Sequence, residues 1–395
     1  MKVALAIDTL PPYTSGVTTH YVVLAEKLLQ KGHDILILTP RLVRKPKLPE
    51  SLKKAKIVYL PSFPVRHAKG LKLAFPSTPR TLYELRKFNP DIIESSSPSS
   101  LGVDTLLSSK LLKKPCVSYF YTLFNSREYI YLITERFTKL AEAIVTKYTR
   151  WFYKRVDKVF VPTPKVKKIV SKLGIAETKI SIAPVFTDIK VSEKPDKEHI
   201  NYVKNKYKLK KNVAVYLGRL SIEKNLDMLL KVWLKVVNKN KGATLLIIGD
   251  GNYRPRVQHL INLNKLGNNV ILTGNMTHKE ILKTKILSAC DLYISTSTSE
   301  TFGLAGLEAM SHGLPVVLAD STGLSEIAQG AGFICNPKDI NSFVNAVITI
   351  FSDNELKKKL SKKAIRISKS FDSNMGIEKI IKLYSLVINN YNMTN

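Results

Sequence analysis

Short runs of β-branched and apolar residues alternate with helical segments along this chain, and the alternation starts twice. The first start is KVALAI (2–7), a loop through Gly16, an amphipathic helix from about Thr18 to Gln30 closed by Gly32, and the strand DILILTP (34–40). Strand, loop, helix and strand within about 40 residues is the unit from which parallel, doubly wound sheets are built. Further strands are expected at KIVYL, DIIES, PCVSYF and KVFVPT. The second start is VAVYLGR (213–219), a helix from about Asn225 to Asn238, and TLLIIGDG (244–251). NVILTG, DLYIST, PVVLAD and GFICN follow as strands. Residues 188–211 between the halves are polar and Lys-rich, and read as a linker with a short helix. From Asp372 to Tyr391 the pattern turns helical, with Ile377, Ile380, Ile381, Tyr384, Leu386 and Val387 as its apolar stripe. The expected fold class is α/β with two Rossmann-like domains, 1–187 and 188–371, and a C-terminal helix, 372–395.

A length of 395 residues supports two domains that each bury a core. Cys116, Cys290 and Cys335 are too few and too far apart for a disulfide framework or a CxxC metal site, which fits a reduced cytoplasmic setting. No apolar run reaches the roughly 18 residues needed to span a bilayer. The N-terminal apolar run reads as a buried strand rather than as a signal peptide. The unusual property is charge: 62 Lys and Arg against 31 Asp and Glu, a formal net +31. Such a balance attracts nucleic acid, acidic membrane or phosphorylated ligands without choosing among them. The excess is +19 over residues 1–190 and +12 over 191–395.

Four loops at expected strand ends carry candidate chemistry. In GRLSIEKN (218–225), Arg219 offers a planar fork and Lys224 a point charge for phosphate oxygens, and Gly218 permits close approach of a ligand. Taken alone, two solvated cations in a Lys-rich chain are the simpler reading of this motif. In ETFGLAGLE (300–308), Glu300 ends a strand, and Phe302-Gly303-Leu304 opens a helix whose free N–H groups suit a pyrophosphate. Glu308, further along that helix, is placed to accept two ribose hydroxyls. The spacing of the two glutamates alone is weak, since about 0.7 such pairs are expected by chance. Gly249 and Gly251 in GDGN fit a tight loop beneath a nucleoside base, and PPYTSG (11–16) ends in Gly16, which could border an acceptor or a phosphate.

Taken in order, GRLSIEKN, GDGN, ETFGLAGLEAMSHGLPVV and PPYTSGVTTH…GHDILILTP resemble glycosyltransferase family 4, from the first strand to Pro337. The resemblance implies the GT-B fold and a retaining transfer of a hexose from a nucleotide-diphosphate sugar, of which UDP-glucose is one; the sequence does not name the donor sugar or base. It implies that Arg219 and Lys224 bind the diphosphate and that Glu300 meets hydroxyls of the donor sugar. The backbone at Phe302, Gly303 and Leu304 would meet phosphate and sugar, and Glu308 would hold the ribose. The last helix would cross back onto the first domain. Members of this family are thought to react on one face of the sugar, the departing phosphate helping to deprotonate the acceptor, so catalysis is mostly positioning and charge stabilisation. The chain contains no Asp-x-Asp, and neither a metal nor another cofactor is expected. Two departures from the family pattern stand out. Tyr121-Thr122 occupies a place where a His-Thr or His-Asp pair is common, and Ser15-Gly16 stands where two glycines are common. Tyr121, Thr122 and His20 are the candidates on the acceptor or sugar side.

The stretch from Val161, VPTPKVKKIVSKLGI, is most similar to lipid glycosyltransferases that act on diacylglycerol. Just before it, residues 119–153 hold 11 of the 33 aromatic side chains. Phe137, Leu140, Ala141, Ile144, Val145, Tyr148, Trp151 and Phe152 share one helical face, with Lys139, Lys147, Arg150 and Lys154 off it. Such a helix can lie on an anionic membrane; the simpler expectation is a helix covering its own sheet with solvated lysines outside. A membrane-lipid acceptor and a cytoplasmic protein held peripherally on an anionic membrane surface are the expected setting. The alternatives are a soluble sugar or polysaccharide acceptor, a catalytically dead nucleotide-sugar sensor, or a basic nucleic-acid-binding protein. The last predicts steep salt dependence, but the chain has no recognisable nucleic-acid motif and no nucleic-acid partner is expected.

Overall fold

The computed structural model describes all residues except 12, 14, 42–47, 65–71, 125–129, 131–137, 187–194, 321–322 and 395. The chain forms two compact units, Met1–Asp188 together with Phe371–Asn395, and Ile189–Ser370.

The first unit has strands β1 (Lys2–Ala6), β2 (Asp34–Pro40), β3 (Lys56–Leu60), β4 (Ser62–Pro64), β5 (Lys72–Ala74), β6 (Ile92–Ser95), β7 (Cys116–Tyr119), β8 (Lys158–Val161) and β9 (Ile180–Ile182). Its helices are α1 (Gly16–Gln30), α2 (Thr78–Phe88), α3 (Ser100–Leu111), α4 (Thr138–Arg155) and α5 (Pro164–Lys172). Seven strands form one parallel sheet in the order β3-β2-β1-β6-β7-β8-β9, and β4 pairs antiparallel with β5. Continuous apolar runs suit these strands because both faces are covered; Val3, Ala4, Leu5 and Ala6 are all buried. The cap of α1 explains one departure in the N-terminal loop: Ser15 Oγ accepts from the Thr18 N–H at 3.1 Å, meeting an N–H that a glycine would leave open. At the other end, Gly32 and His33 donate to the Leu29 and Leu28 carbonyls, as the sequence leads one to expect.

The second unit has β10 (Asn212–Leu217), β11 (Ala243–Ile248), β12 (Val270–Gly274), β13 (Leu292–Ser295), β14 (Val316–Ala319) and β15 (Gly332–Cys335). Its helices are α6 (Lys197–Lys206), α7 (Leu226–Lys239), α8 (Arg254–Leu263), α9 (His278–Thr284), α10 (Leu304–Ser311), α11 (Leu324–Ile327), α12 (Ile340–Ser352) and α13 (Asn354–Lys369). The sheet runs β12-β11-β10-β13-β14-β15, all parallel. Counted within the unit, this is the 3-2-1-4-5-6 order of a dinucleotide-binding fold. Trp233 of α7 anchors the core on one face among Val344, Val347 and Ile350 of α12. Its indole N–H donates to the Asn269 carbonyl at 2.9 Å.

The last helix, α14 (Ser373–Thr394), belongs to the first unit. It buries Ile377, Ile380, Tyr384 and Val387, whereas Leu386 of the expected stripe is exposed. The reason is geometric: 377, 380, 384 and 387 keep to one arc at steps of three and four, and 386 falls off it.

Candidate active site

In a doubly wound sheet, ligands bind beyond the carboxyl ends of the strands where the order reverses. In the second unit that point lies between β10 and β13. Gly218 leads the chain off β10 while its N–H still reaches the Ile248 carbonyl at 3.0 Å. Strand β11 is followed by Gly249, with φ +149°, where a Cβ would lie 1.9 Å from the Gly218 carbonyl oxygen. A Cβ on Gly251 would lie 2.2 Å from the Leu220 carbonyl oxygen. The close approach seen at these glycines is therefore between the two loops, packed backbone on backbone.

The loop after β10 makes a short 3-10 turn, Ile222–Lys224, and Asn225 at φ +53° turns it into α7. The loop after β13 is stitched to it. Thr296 Oγ1 donates to the Asn225 carbonyl at 2.9 Å, and Ser297 and Ser299 hydroxyls donate to the Glu223 carbonyl at 3.2 and 3.0 Å. These bonds bring Lys224 and Glu300, 76 positions apart, into an ion pair with both side chains mostly buried. Arg219 donates to Glu223 Oε1 at 3.2 Å, and the Ser221 hydroxyl donates to the same oxygen. Glu223 is itself buried, and its Oε2 has no hydrogen-bond partner among the described residues. The expected cations thus stand at the switch point, each beside a carboxylate.

Phe302 is buried, and Gly303 caps α10 at φ +86°; a Cβ there would come 2.7 Å from Leu324 Cβ and 3.2 Å from Glu300 Cγ. Both the left-handed conformation and the packing demand glycine. Leu304 follows as the first helical residue, so the free N–H groups of α10 open close to Glu300. A small, partly open pocket lies at the carboxyl ends of β13 and β14, lined by Tyr293, Ser295, Ser297, Glu300, Leu324 and Ser325 among others. Burial, and then the charge of Glu300, push the Tyr293 hydroxyl well above the usual phenol range. Glu308, mid-helix, is hydrogen-bonded to His278 of α9 at 2.7 Å. Arg219, Lys224, Glu223, Glu300 and the start of α10 converge here, an arrangement able to hold an anionic leaving group beside a polyhydroxylated one.

The first-unit candidates lie differently. Gly16 is exposed at the start of α1. His20 is fully buried, ringed by Tyr21, Tyr119, Tyr121 and Phe186, and burial lowers its pKa to about 4, so it is neutral. Its Nδ1 lies 3.3 Å from the backbone of Phe186. Tyr121 is buried with its ring stacked on Tyr119 at 4.7 Å, and Thr122 is half-buried after β7. His20 and Tyr121 are thus interior groups, while Thr122 and Gly16 are nearer solvent. The helix α4 also departs from expectation. Thr149, Phe152 and Tyr153 are buried, so its C-terminal half does cover the unit, but Leu140 and Ile144 are 61% and 58% exposed. Phe137 lies outside the described residues.

Two carboxylates of the first unit were not singled out from the sequence. Asp8, after β1 at the corresponding switch point, accepts from the hydroxyls of Ser96 (3.1 Å), Ser97 and Ser99 (2.6 Å). Burial raises its pKa and the three donors counter this. Glu94 in β6 is fully buried, accepts from the Tyr384 hydroxyl at 2.6 Å, and is raised by burial to about 7. With partners 88 to 290 positions away, neither had a local signal; Glu223, within four residues of Arg219, did.

Comparison with known proteins agrees with this fold. A family model described as Glycosyltransferase Family 4 matches residues 14–191, and one described as Glycosyl transferases group 1 matches residues 198–367. The sulfoquinovosyl transferase of Arabidopsis thaliana is 25% identical over 387 residues, covering 96% of this chain and 72% of that protein. An alpha-monoglucosyldiacylglycerol synthase of Streptococcus pneumoniae is 26% identical over 321 residues, covering 80% of this chain and 70% of that protein. Among solved structures, Anabaena HepE in complex with UDP and glucose superposes with a TM-score of 0.78 at 19% identity, covering 98% of this chain and 99% of that one. The two matched halves, the two parallel sheets and their shared order place the chain in one group: it belongs to the glycosyltransferases of the GT-B fold.

Proposed function

We propose that this chain moves a hexose from a nucleoside-diphosphate sugar to the hydroxyl of a membrane lipid such as diacylglycerol, with retention at the anomeric carbon. The observation that carries the transfer chemistry is the Lys224–Glu300 pair at the switch point of the second sheet, beside Arg219 and the start of α10. In this reading Arg219, Lys224 and the amides of α10 take the diphosphate, and Glu300 accepts hydrogen bonds from hexose hydroxyls. Glu308 takes the ribose hydroxyls. As the sugar–phosphate bond breaks, negative charge grows on the leaving oxygen, and the cations and helix amides stabilise it without reorganising. Glu300 is tied to Lys224, so it serves as a sugar anchor rather than as one of a glycosidase's two free carboxylates. The leaving phosphate, on the acceptor's side of the ring, takes the acceptor proton, which preserves configuration. With two side-chain cations and a helix N-terminus available, a divalent metal is not required.

The lipid acceptor is supported by the name of the Streptococcus pneumoniae relative, a glucosyldiacylglycerol synthase, and by the exposed apolar side chains of α4 beside Lys139, Lys147 and Arg150. UDP as the nucleotide is supported by the ligand of HepE. Among the described residues no helix is long and apolar enough to cross a membrane, so contact with a bilayer would be peripheral. The test is to incubate the protein with radiolabelled UDP-glucose and either phosphatidylglycerol vesicles containing diacylglycerol or soluble sugars, with and without EDTA. Label is expected in the lipid phase, α-linked and unaffected by EDTA. Label passing only to soluble sugars would overturn the lipid acceptor, and a β-linked product would overturn retention.

A further inference from the structure

Strand β12 leads into α9, and the start of that helix is fixed by a reciprocal cap. Thr277 Oγ1 accepts from the Glu280 N–H at 3.2 Å, while the Glu280 carboxylate accepts from the Thr277 N–H at 2.7 Å. Such a box pins the first helical turn, and its first residue is His278. From there the imidazole crosses to α10, where Nδ1 lies 2.7 Å from Glu308 Oε1, 30 positions on in sequence. The histidine is half exposed, whereas Glu308 is 19% exposed. One turn further along, His312 is buried, and its Nδ1 has no hydrogen-bond partner among the described residues. Burial lowers the pKa of His312, which keeps it neutral beside the carboxylate. A glutamate has three rotatable bonds, and a carboxylate that must meet a vicinal diol is useful only in one of its rotamers. The hydrogen bond to His278 engages one oxygen, Oε1, and narrows the rotamers open to the group while leaving Oε2 outside that bond.

We propose that His278 is a positioning residue for nucleotide binding: it holds Glu308 so that Oε2 is presented to the vicinal hydroxyls of the ribose of a nucleoside diphosphate. The inference rests on the reading of Glu308 as the ribose carboxylate. Asparagine places an N–H donor near the position of imidazole Nδ1, and alanine places none. His278→Asn should therefore preserve what His278→Ala loses.

Calorimetric titration of the full chain with UDP and with 2′-deoxy-UDP tests this without an acceptor. His278→Ala is expected to weaken UDP about five- to tenfold, the scale of one charge-assisted hydrogen bond's orienting effect. His278→Asn should stay within about twofold of the wild type, and the difference between the two variants should shrink for 2′-deoxy-UDP. The inference is overturned if His278→Ala binds UDP as the wild type does, if His278→Asn loses as much as His278→Ala, or if the loss is unchanged with 2′-deoxy-UDP. Glu308→Ala separates the two layers. If it binds UDP normally, the ribose reading of Glu308 fails and this inference fails with it. If it weakens UDP while His278→Ala does not, only the role of His278 fails.

Discussion

Lys224 and Glu300 meet because the turn before α7 and the loop after β13 are tied by Thr296, Ser297 and Ser299, all bonding to backbone carbonyls. Arg219, Lys224 and Glu300 are legible in the sequence because each sits where an apolar run ends and a helical pattern begins, and Glu308 follows within the helix that Gly303 opens. What the sequence could not show is which charges face each other. Glu223 lies in the same octapeptide as Arg219 and Lys224, yet its burial behind Arg219 depends on a 3-10 turn that no periodicity announces. His278 is less legible still, since its partner lies 30 positions away on another helix. His20 and Tyr121 show the converse: polar side chains next to a binding motif that the fold turns inward, where an aromatic cluster surrounds them.

At the level of elements, most strands follow directly from their apolar runs, because a parallel sheet covered on both faces needs little alternation. The hairpin β4–β5 and the edge strand β9 escape that reading; each has three residues, too few to carry a pattern. The helix α4 shows where a correct stripe can still mislead. Its residues at 149, 152 and 153 turn inward, but the same face toward the N-terminus, at Leu140 and Ile144, stays in solvent beside Lys139 and Lys147. If that face meets an anionic bilayer, replacing two buried-on-binding aliphatic side chains removes roughly 1.5–3 kcal/mol each. The double variant Leu140→Ser/Ile144→Ser should therefore lose more than tenfold in sedimentation with phosphatidylglycerol vesicles, by that arithmetic, while its affinity for UDP is unchanged. Retention of full vesicle binding would assign membrane contact to another surface.

For the molecule as a whole, the +31 charge first suggested three kinds of partner. Family and fold make a nucleic-acid partner unnecessary, and under the proposed lipid acceptor the surplus on the first 190 residues would draw that half toward an acidic surface. The return of α14 to the first unit brings a separate consequence, because Tyr384 closes over Glu94. Burial raises that carboxyl from 4.5 to about 7. Between those values the unfolded chain releases a proton that the folded chain keeps. The stability owed to this group is therefore full below pH 4.5 and lost as pH rises through 7, about 3 kcal/mol in all. Unfolding measured at pH 5 and pH 8 should show that decline in the wild type and its removal in Glu94→Gln; equal declines in both would place the titration elsewhere. More narrowly, we propose that sugar transfer happens at the Lys224–Glu300 pair. Initial rates of glucose transfer from UDP-glucose by the wild type and by Glu300→Ala, the latter checked for an unchanged melting temperature, test it most directly. A loss of about a hundredfold or more, the scale for removing one preorganised partner of the transition state, is the predicted result, and a rate within twofold of the wild type would contradict it.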